Sequence, residues 1–333
     1  MAAKTVNGGG NGARSGAQTL LLLATPLNVL ILRALADGPK QQAELQRETG
    51  SPAQTTLRAQ LKRLVEIGAI GKHRRNRFPG VLEYELTSPG RQLLFVIDVL
   101  ERWLDNAPEA PLPLGGSAAK SAIKALADAW STRVLRVLAA GPLCLTELDG
   151  VIGSLSYPAL ERRLAAMRLV GQVERRASNG RGTPYAVTRW LRQGVAPLAA
   201  AMRWERCHMA ASTPAISRID IEAAFLLALP LLLLPQDISG TCRMAVEVPN
   251  GEQALAGVIA RIDQGAVDFC STRLAGSADA WALGAPAAWL DAVIEPDPGR
   301  LELGGDGALA RALVDGLHRA LFDASTAKST SCP

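Results

Sequence analysis

Cysteine is scarce in this 333-residue chain: Cys144, Cys207, Cys242, Cys270 and Cys332 are odd in number, far apart and never arranged as CxxC. That spacing argues against a disulfide framework and a structural zinc site, and fits a reducing cytoplasm. Histidine is scarcer still. His73, His208 and His318 are too scattered to form a ligand cluster, so no metal or other cofactor is expected. Long uncharged apolar runs are also missing. Leu20 to Ala36 is interrupted by Pro26, Asn28 and Arg33, and Ile221 to Leu234 is short and carries Glu222 and Pro230. No signal peptide precedes either, so both are expected to be buried elements of a soluble protein, with no membrane partner. No catalytic carboxylate pair and no Ser/His/Asp or Cys/His arrangement stands out, so no catalytic residue and no enzymatic activity are expected.

What is present is one pattern written twice. Leu35-Ala-Asp-Gly-Pro39, Ala43-Glu-Leu45, Leu57-Arg-Ala-Gln-Leu-Lys-Arg-Leu64, Gly68 and Tyr84-Glu-Leu-Thr87 form the first copy. Leu138-Ala-Ala-Gly-Pro142, Thr146-Glu-Leu148, Leu160-Glu-Arg-Arg-Leu164, Met167, Gly171 and Tyr185-Ala-Val-Thr188 form the second. The offset is 103 residues through Gly68/Gly171 and 101 at Tyr84/Tyr185. The net charge of +5 divides unevenly along the chain: +4 over residues 1–115, +8 over 116–210 and −7 over 211–333. A basic front and an acidic back suit a nucleic-acid module joined to something else.

The first copy is expected to hold a helix from Thr19 to Leu35, a short helix from Gln42 to Glu48, and a third helix opened by Ser51 as cap and Pro52 at its first position. Leu57, Leu61 and Leu64 make the inward stripe of the third helix, leaving Gln54, Thr55, Arg58 and Lys62 outside it. Two strands joined at Phe78-Pro-Gly80 would carry Lys72, Arg74, Arg75 and Arg77 on or near an exposed hairpin. A polar helix face beside a positive hairpin suits double-stranded DNA, with the helix in the major groove and the hairpin on phosphates or the minor groove. An amphipathic helix from Pro89 to Asn106 follows, and Trp103 in it corresponds to Trp204 in Leu191 to His208. These two helices either close each unit's own core or pair with each other.

In the second copy Ser121 to Ala139 is the first helix and Ser154 the cap of the third. Tyr157, Pro158, Glu161 and Ala165 replace Gln54, Thr55, Arg58 and Lys62, while Arg162, Arg175, Arg176 and Arg181 supply positive charge. The second unit is therefore expected either to clamp backbone more than it reads bases or to be purely structural, its charge favouring DNA contact. Two such units in one chain would form an internal pseudo-dimer, so the protein is expected as a monomer of that kind or as a homodimer.

Each unit resembles the HxlR-type winged helix regulators, close to the multiple-antibiotic-resistance regulators. The resemblance lies in Ile31-Leu-Arg-Ala-Leu-Ala-Asp-Gly-Pro39, Leu57 to Leu64 with Gly68, and Glu83-Tyr-Glu-Leu-Thr-Ser-Pro-Gly-Arg91. It recurs in Trp130, Val137 to Pro142, Leu160 to Leu164, Leu169-Val-Gly171 and Pro184 to Thr188. It implies a bacterial transcription factor whose third helix reads the major groove and whose members often dimerise through their first and last helices. Some members sense oxidants through a cysteine before the first helix. No cysteine stands there, and Cys144 is expected to be a small buried residue.

From about Asp220 the periodicity changes. A helix from Ile219 to Leu229 is expected, then strands at 240–248, 257–263, 265–271, 278–284 and 301–303. A helix at 285–293 and a final one capped by Asp306 complete the region. Asp279-Ala-Trp-Ala-Leu-Gly284, Trp289 and Leu301-Glu-Leu-Gly-Gly-Asp306 resemble the sterol-carrier-protein-type-two fold, which implies a curved sheet around an apolar tunnel. Phe225, Leu226, Leu232, Met244, Val246, Val258, Phe269, Trp281 and Trp289 either line such a cavity, where an apolar small-molecule effector would sit, or fill an ordinary core.

The expected fold class is thus mainly α with small β hairpins in two tandem winged helix domains, plus a C-terminal α+β domain. The expected boundaries are a flexible 1–16, a first domain 17–106, a linker 107–116, a second domain 117–210, a third 218–324 and a flexible 325–333. The expected function is a sequence-specific DNA-binding transcription regulator, modulated by an apolar small molecule where the C-terminal domain holds one. A lipid or small-molecule carrier, or a protein-interaction scaffold built from degenerate winged helices, is the alternative.

Overall fold

The computed structural model describes residues 14–74, 82–153, 155–177, 182–209, 213–248 and 254–323, with the backbone alone for 129–132. It opens on α1 (Ala17–Leu23) and α2 (Pro26–Ala36), bent by 82° to each other, where one continuous helix was expected. Pro26 is the reason: it takes the first turn of α2, where a missing N–H breaks no helical bond. Residues 14–16 do not belong to the flexible stretch expected over 1–16, the rest of which lies outside the described residues. Arg14 and Ser15 are buried, 6% and 1% exposed, and Gly16 is bonded into the fold.

Unit one continues with β1 (Lys40–Gln41), α3 (Gln42–Glu48), α4 (Gln54–Glu66), β2 (Ile70–Arg74), β3 (Leu82–Leu86) and α5 (Ser88–Asp105). Its strands pair antiparallel in the order β1-β3-β2. Unit two follows the same course with α6 (Ser117–Ala127), α7 (Ala129–Ala140), α8 (Leu145–Ile152), α9 (Tyr157–Leu169), β4 (Val173–Arg175), β5 (Tyr185–Val187), α10 (Arg189–Gln193) and α11 (Val195–His208). The expected single helix over 121–139 is thus two, α6 and α7. The helix expected from Leu191 to His208 is broken at Gly194, because Pro197 has no N–H to give the Gln193 carbonyl.

Local chemistry repeats along with the elements. The Gln41 N–H donates to the Glu44 carboxylate at 2.7 Å, and the Cys144 N–H to Glu147 at 2.7 Å. Cys144 is half-buried at this helix start, not fully buried as expected. The Thr87 hydroxyl donates to the carbonyl of Gly68, and that of Thr188 to Gly171, each tying the end of the third helix to the start of the next. Gly68 and Gly171 hold φ of 74° and 75° there, a left-handed turn that a side chain would resist.

The units meet through α5 and α11, with α1 packed on α6 and α11. The Trp103 indole N–H donates to the Trp190 carbonyl at 2.9 Å, and the Trp204 indole to the Pro89 carbonyl at 2.9 Å. Trp103 and Trp204 are equivalent positions of the two copies, as are Pro89 and Trp190, both pairs separated by 101 residues. The same bond is therefore made in each direction. Trp190 and Trp103 also stack with centroids 4.6 Å apart, and the Trp190 indole donates to the Trp103 carbonyl at 2.6 Å.

The carboxy-terminal lobe begins with α12 (Arg218–Ala228), which runs into a 3-10 turn around Pro230. Then come β6 (Gly240–Glu247), β7 (Leu255–Asp263), β8 (Ala266–Ser271), β9 (Ala280–Gly284), α13 (Pro286–Ile294), β10 (Glu302–Gly305) and α14 (Gly307–Phe322). The sheet order is β10-β9-β6-β7-β8, antiparallel except for β6 with β9. As the sequence indicates, Asp306 caps α14, accepting the N–H groups of Ala308 and Leu309 at 3.0 and 3.1 Å, and Leu309, Leu313 and Leu317 are buried. The fold is mixed: a helical amino-terminal region with a helix-turn-helix and a strand-rich carboxy-terminal region.

α12 belongs to both neighbours. It packs on α7 of unit two and on β7 of the lobe, and its buried Glu222 accepts bonds from Arg136 of α7 and from Arg218. One apolar core therefore runs from α1 through both units into α14.

Candidate nucleic-acid interface

α4 is a helix with two chemically distinct sides. Leu57, Leu61 and Leu64 are at most 1% exposed, whereas Gln54, Thr55, Arg58 and Lys62 all lie open to solvent. Its start differs from expectation. Ser51 does not cap it but sits at φ 54°, following Gly50 at 83°, and the helix begins at Gln54 after Ala53. Two successive left-handed residues turn the chain sharply between α3 and α4. They leave the α4 amino terminus free, with its unpaired N–H groups and positive dipole end at the surface.

The β2–β3 ladder stands beside this helix. Lys72 lies opposite Tyr84 and Arg74 opposite Leu82, and both cations are exposed. Burial pushes the Tyr84 phenol, at the middle of β3, up, against the pull of the nearby Arg58 guanidinium. Arg75, Arg77 and the Pro79-Gly80 turn lie outside the described residues.

The HxlR-like helix-turn-helix family profile matches residues 22–110, α2 through α5 with the two strands between. YtcD, an HTH-type transcriptional regulator of Bacillus subtilis, is 34% identical over 88 residues, 26% of this chain and 70% of its own length. The chain belongs to the HxlR-like helix-turn-helix family. An HTH-type transcriptional regulator of Mycobacterium tuberculosis is 35% identical over 97 residues, 28% of this chain and 61% of its own length. The chain thus spans about 61% of that relative. Among solved structures, the reduced form of the transcriptional regulator YodB from B. subtilis is 28% identical and covers 28% of this chain and 90% of its own, with a TM-score of 0.27.

Unit two lies outside the HxlR-like match. Its α9 keeps the buried stripe, with Leu160, Leu164 and Met167 at most 1% exposed. Outside that stripe Tyr157, Pro158, Glu161, Arg162 and Ala165 are exposed, so only Arg162 offers a cation among these positions. Ser154 and Arg181 lie outside the described residues, and Ser156 holds the position before α9. Arg175 and Arg176 are exposed. The first lies over the Tyr185 ring with its guanidinium carbon 5.8 Å from the centroid, and the second pairs with Glu174 at 3.4 Å.

The residues expected to line a ligand cavity do not all meet. Phe225, Val246 and Trp289 border one cavity of about 110 Å³, whose opposite wall is α11. Leu226 turns instead toward α7, and Met244, Leu232 and Val258 are buried in the lobe away from it. Trp281 alternates with buried Ala280 and Ala282, so strand periodicity points it to the other face, against Gly304. Phe269 is 50% exposed beneath the Arg261 guanidinium. Both are corrections, caused by the side of the sheet each residue occupies.

Two buried groups escaped the sequence reading. Glu205 of α11 is fully buried and accepts the N–H groups of Gly16 at 2.6 Å and Thr19 at 2.8 Å, capping α1 from the other unit. Burial pushes its carboxyl pKa up, and these bonds oppose the shift. Arg14 donates to Asp220 of α12 at 2.8 Å and to the Leu126 carbonyl at 2.9 Å. The available signal was an acid on an apolar stripe, Leu198, Ala201, Met202 and Glu205. Among the thiols, burial pushes Cys242 and Cys270 up to about 12, far from a reactive thiolate.

Proposed function

We propose that this chain is a sequence-specific DNA-binding transcription regulator in which α4 enters the major groove. The observation that carries the reading is the solvent-facing set Gln54, Thr55, Arg58 and Lys62 on a helix whose opposite side is fully buried. Amide and guanidinium groups can pair bidentately with adenine and guanine edges, and the ammonium of Lys62 can meet phosphate. Lys72 and Arg74, with Arg75 and Arg77 beyond them, serve the phosphates flanking the groove.

The modules of this reading are 17–106, 117–210 and 218–324. The second is a winged helix counterpart of the first, and the two form an internal pseudo-dimer. Support comes from the repeated order of elements and from the paired tryptophan bonds, since an isologous contact makes each bond twice. Arg162, Arg175, Arg176 and Arg181 let the second module hold backbone, while Glu161 weakens its claim to read bases. The third module, with a mixed sheet backed by α13 and α14, is the ligand-responsive part of sterol-carrier type.

Footprinting of the full chain on genomic fragments across a salt series, with competitor DNA, tests this. A discrete footprint that Arg58→Ala alters in sequence is expected. Binding without fragment preference, or a footprint indifferent to Arg58→Ala, would overturn the placement of α4.

A further inference from the structure

The cavity beside α11 lies at the joint between unit two and the lobe, not within the lobe. Leu198 and Met202 of α11 form one wall, Phe225 of α12 and Trp289 of α13 another, and Leu317 of α14 and Val246 of β6 close it. Small residues border the gap: Ala199 on α11, and Ala224 and Ala228 on α12. Ties on two sides oppose its collapse. Arg203 of α11 bonds Asp291 of α13 at 2.7 Å and also Glu295 just after that helix, and Arg14 joins Asp220 on α12.

The lining offers carbon almost everywhere. The Trp289 N–H is already donated to the Ala245 carbonyl at 2.8 Å, and Phe225 meets the Trp289 ring edge to face at 5.1 Å. Arg14 and Asp220 border the space but satisfy each other. Water needs polar partners that such a surface lacks, whereas an engineered apolar cavity of about 150 Å³ takes up benzene.

We propose that this cavity is a receptor site for a neutral, compact, apolar molecule of single-ring size, and that its occupancy is transmitted to the amino-terminal latch. Met202 carries the coupling: it borders the cavity and lies against Gly16, whose N–H is held by Glu205 one helical turn away. A molecule in the site braces α11 against α12 and thereby tightens the hold of Glu205 on α1 of unit one. This rests on the ligand-responsive reading above and moves its site from the lobe to the joint.

Benzene added to the full chain without DNA should raise Tm saturably, by about 2–4 °C once it exceeds its Kd tenfold. Ala199→Leu, which fills the space, should abolish that rise. Because a filled helix joint can fail to fold, crystals of the unaltered protein soaked in iodobenzene give the independent reading. Anomalous density between α11 and α12 is expected. Density only elsewhere, or none with no saturable change in Tm, overturns the site. Benzene should also slow hydrogen exchange at the Gly16 and Thr19 amides several-fold, and unchanged exchange with the site occupied overturns the coupling. Footprinting without benzene tests the regulator reading separately.

Discussion

Units one and two share a frame and differ in what they present. α4 and α9 are both 13 residues long, and their inward positions, Leu57/Leu160, Leu61/Leu164 and Leu64/Met167, are equally buried. Their outward positions have diverged to Gln54/Tyr157, Thr55/Pro158, Arg58/Glu161 and Lys62/Ala165. Inward positions must fill a close-packed space, where a lost methylene group is felt, while outward positions are free to change with the partner. A second contrast lies in the helix before the helix-turn-helix. Arg33 of α2 pairs with Asp98 and Glu101 of its own unit's α5, whereas the equivalent Arg136 of α7 reaches Glu222 of the lobe. Unit one touches the lobe at its far end, where Arg102 of α5 donates to the Phe322 carbonyl at 2.6 Å and Phe95 stacks on the Phe322 ring. Unit two is the mount for the third module.

The largest effect should come from the bonds the units exchange. Trp103→Ala and Trp204→Ala should each destabilise the chain by about 3–5 kcal/mol in urea unfolding. Trp103→Ala should cost more, because it also loses its stack on Trp190, worth about 0.5–1.5 kcal/mol. A negligible effect of either would break the equivalence of the two contacts.

At the DNA the units should part. Arg58→Ala should cost about 1–3 kcal/mol and relax preference at one base position. Glu161→Ala at the equivalent place should leave affinity unchanged or slightly raised, since it removes a charge that repels phosphate. Equal losses from both would mean that both helices read bases.

The latch between the units should show in pH dependence. The Glu205 pKa is raised on folding, so over that window the folded state binds more protons than the unfolded one. Its contribution to stability therefore falls as pH rises from the ordinary glutamate value through the raised one. Glu205→Gln should remove that decline in urea unfolding measured across the acid range. Identical slopes for the two proteins would locate the titration elsewhere.

The smallest effects belong to exposed cations. Lys72→Ala in unit one and Arg175→Ala in unit two should each weaken binding uniformly across sequences. Each should lower the slope of log K against log salt by about 0.9. A change for Lys72 without one for Arg175 would leave unit two off the DNA.

Much of this was legible in the sequence because repeats and periodicity are local signals. The leucines of α4, the Asp306 cap and the Gly68/Gly171 turns each follow from chemistry within a few residues. Misjudged features came from longer-range or finer effects. Pro26 and Pro197 split helices that the apolar pattern runs straight through, and Trp281 and Phe269 are apolar residues on the outer side of a sheet.

By itself the sequence determined the duplication, the helix-turn-helix of unit one and the polar set on α4, since these depend on spacing along one chain segment. Only the tertiary structure decided that Glu205 caps a helix of the other unit, that Trp103 and Trp204 exchange equivalent bonds, and that the apolar cavity lies at a joint. Each joins residues more than 80 positions apart. Such pairings follow from how the packed elements are placed in space, which no local pattern records.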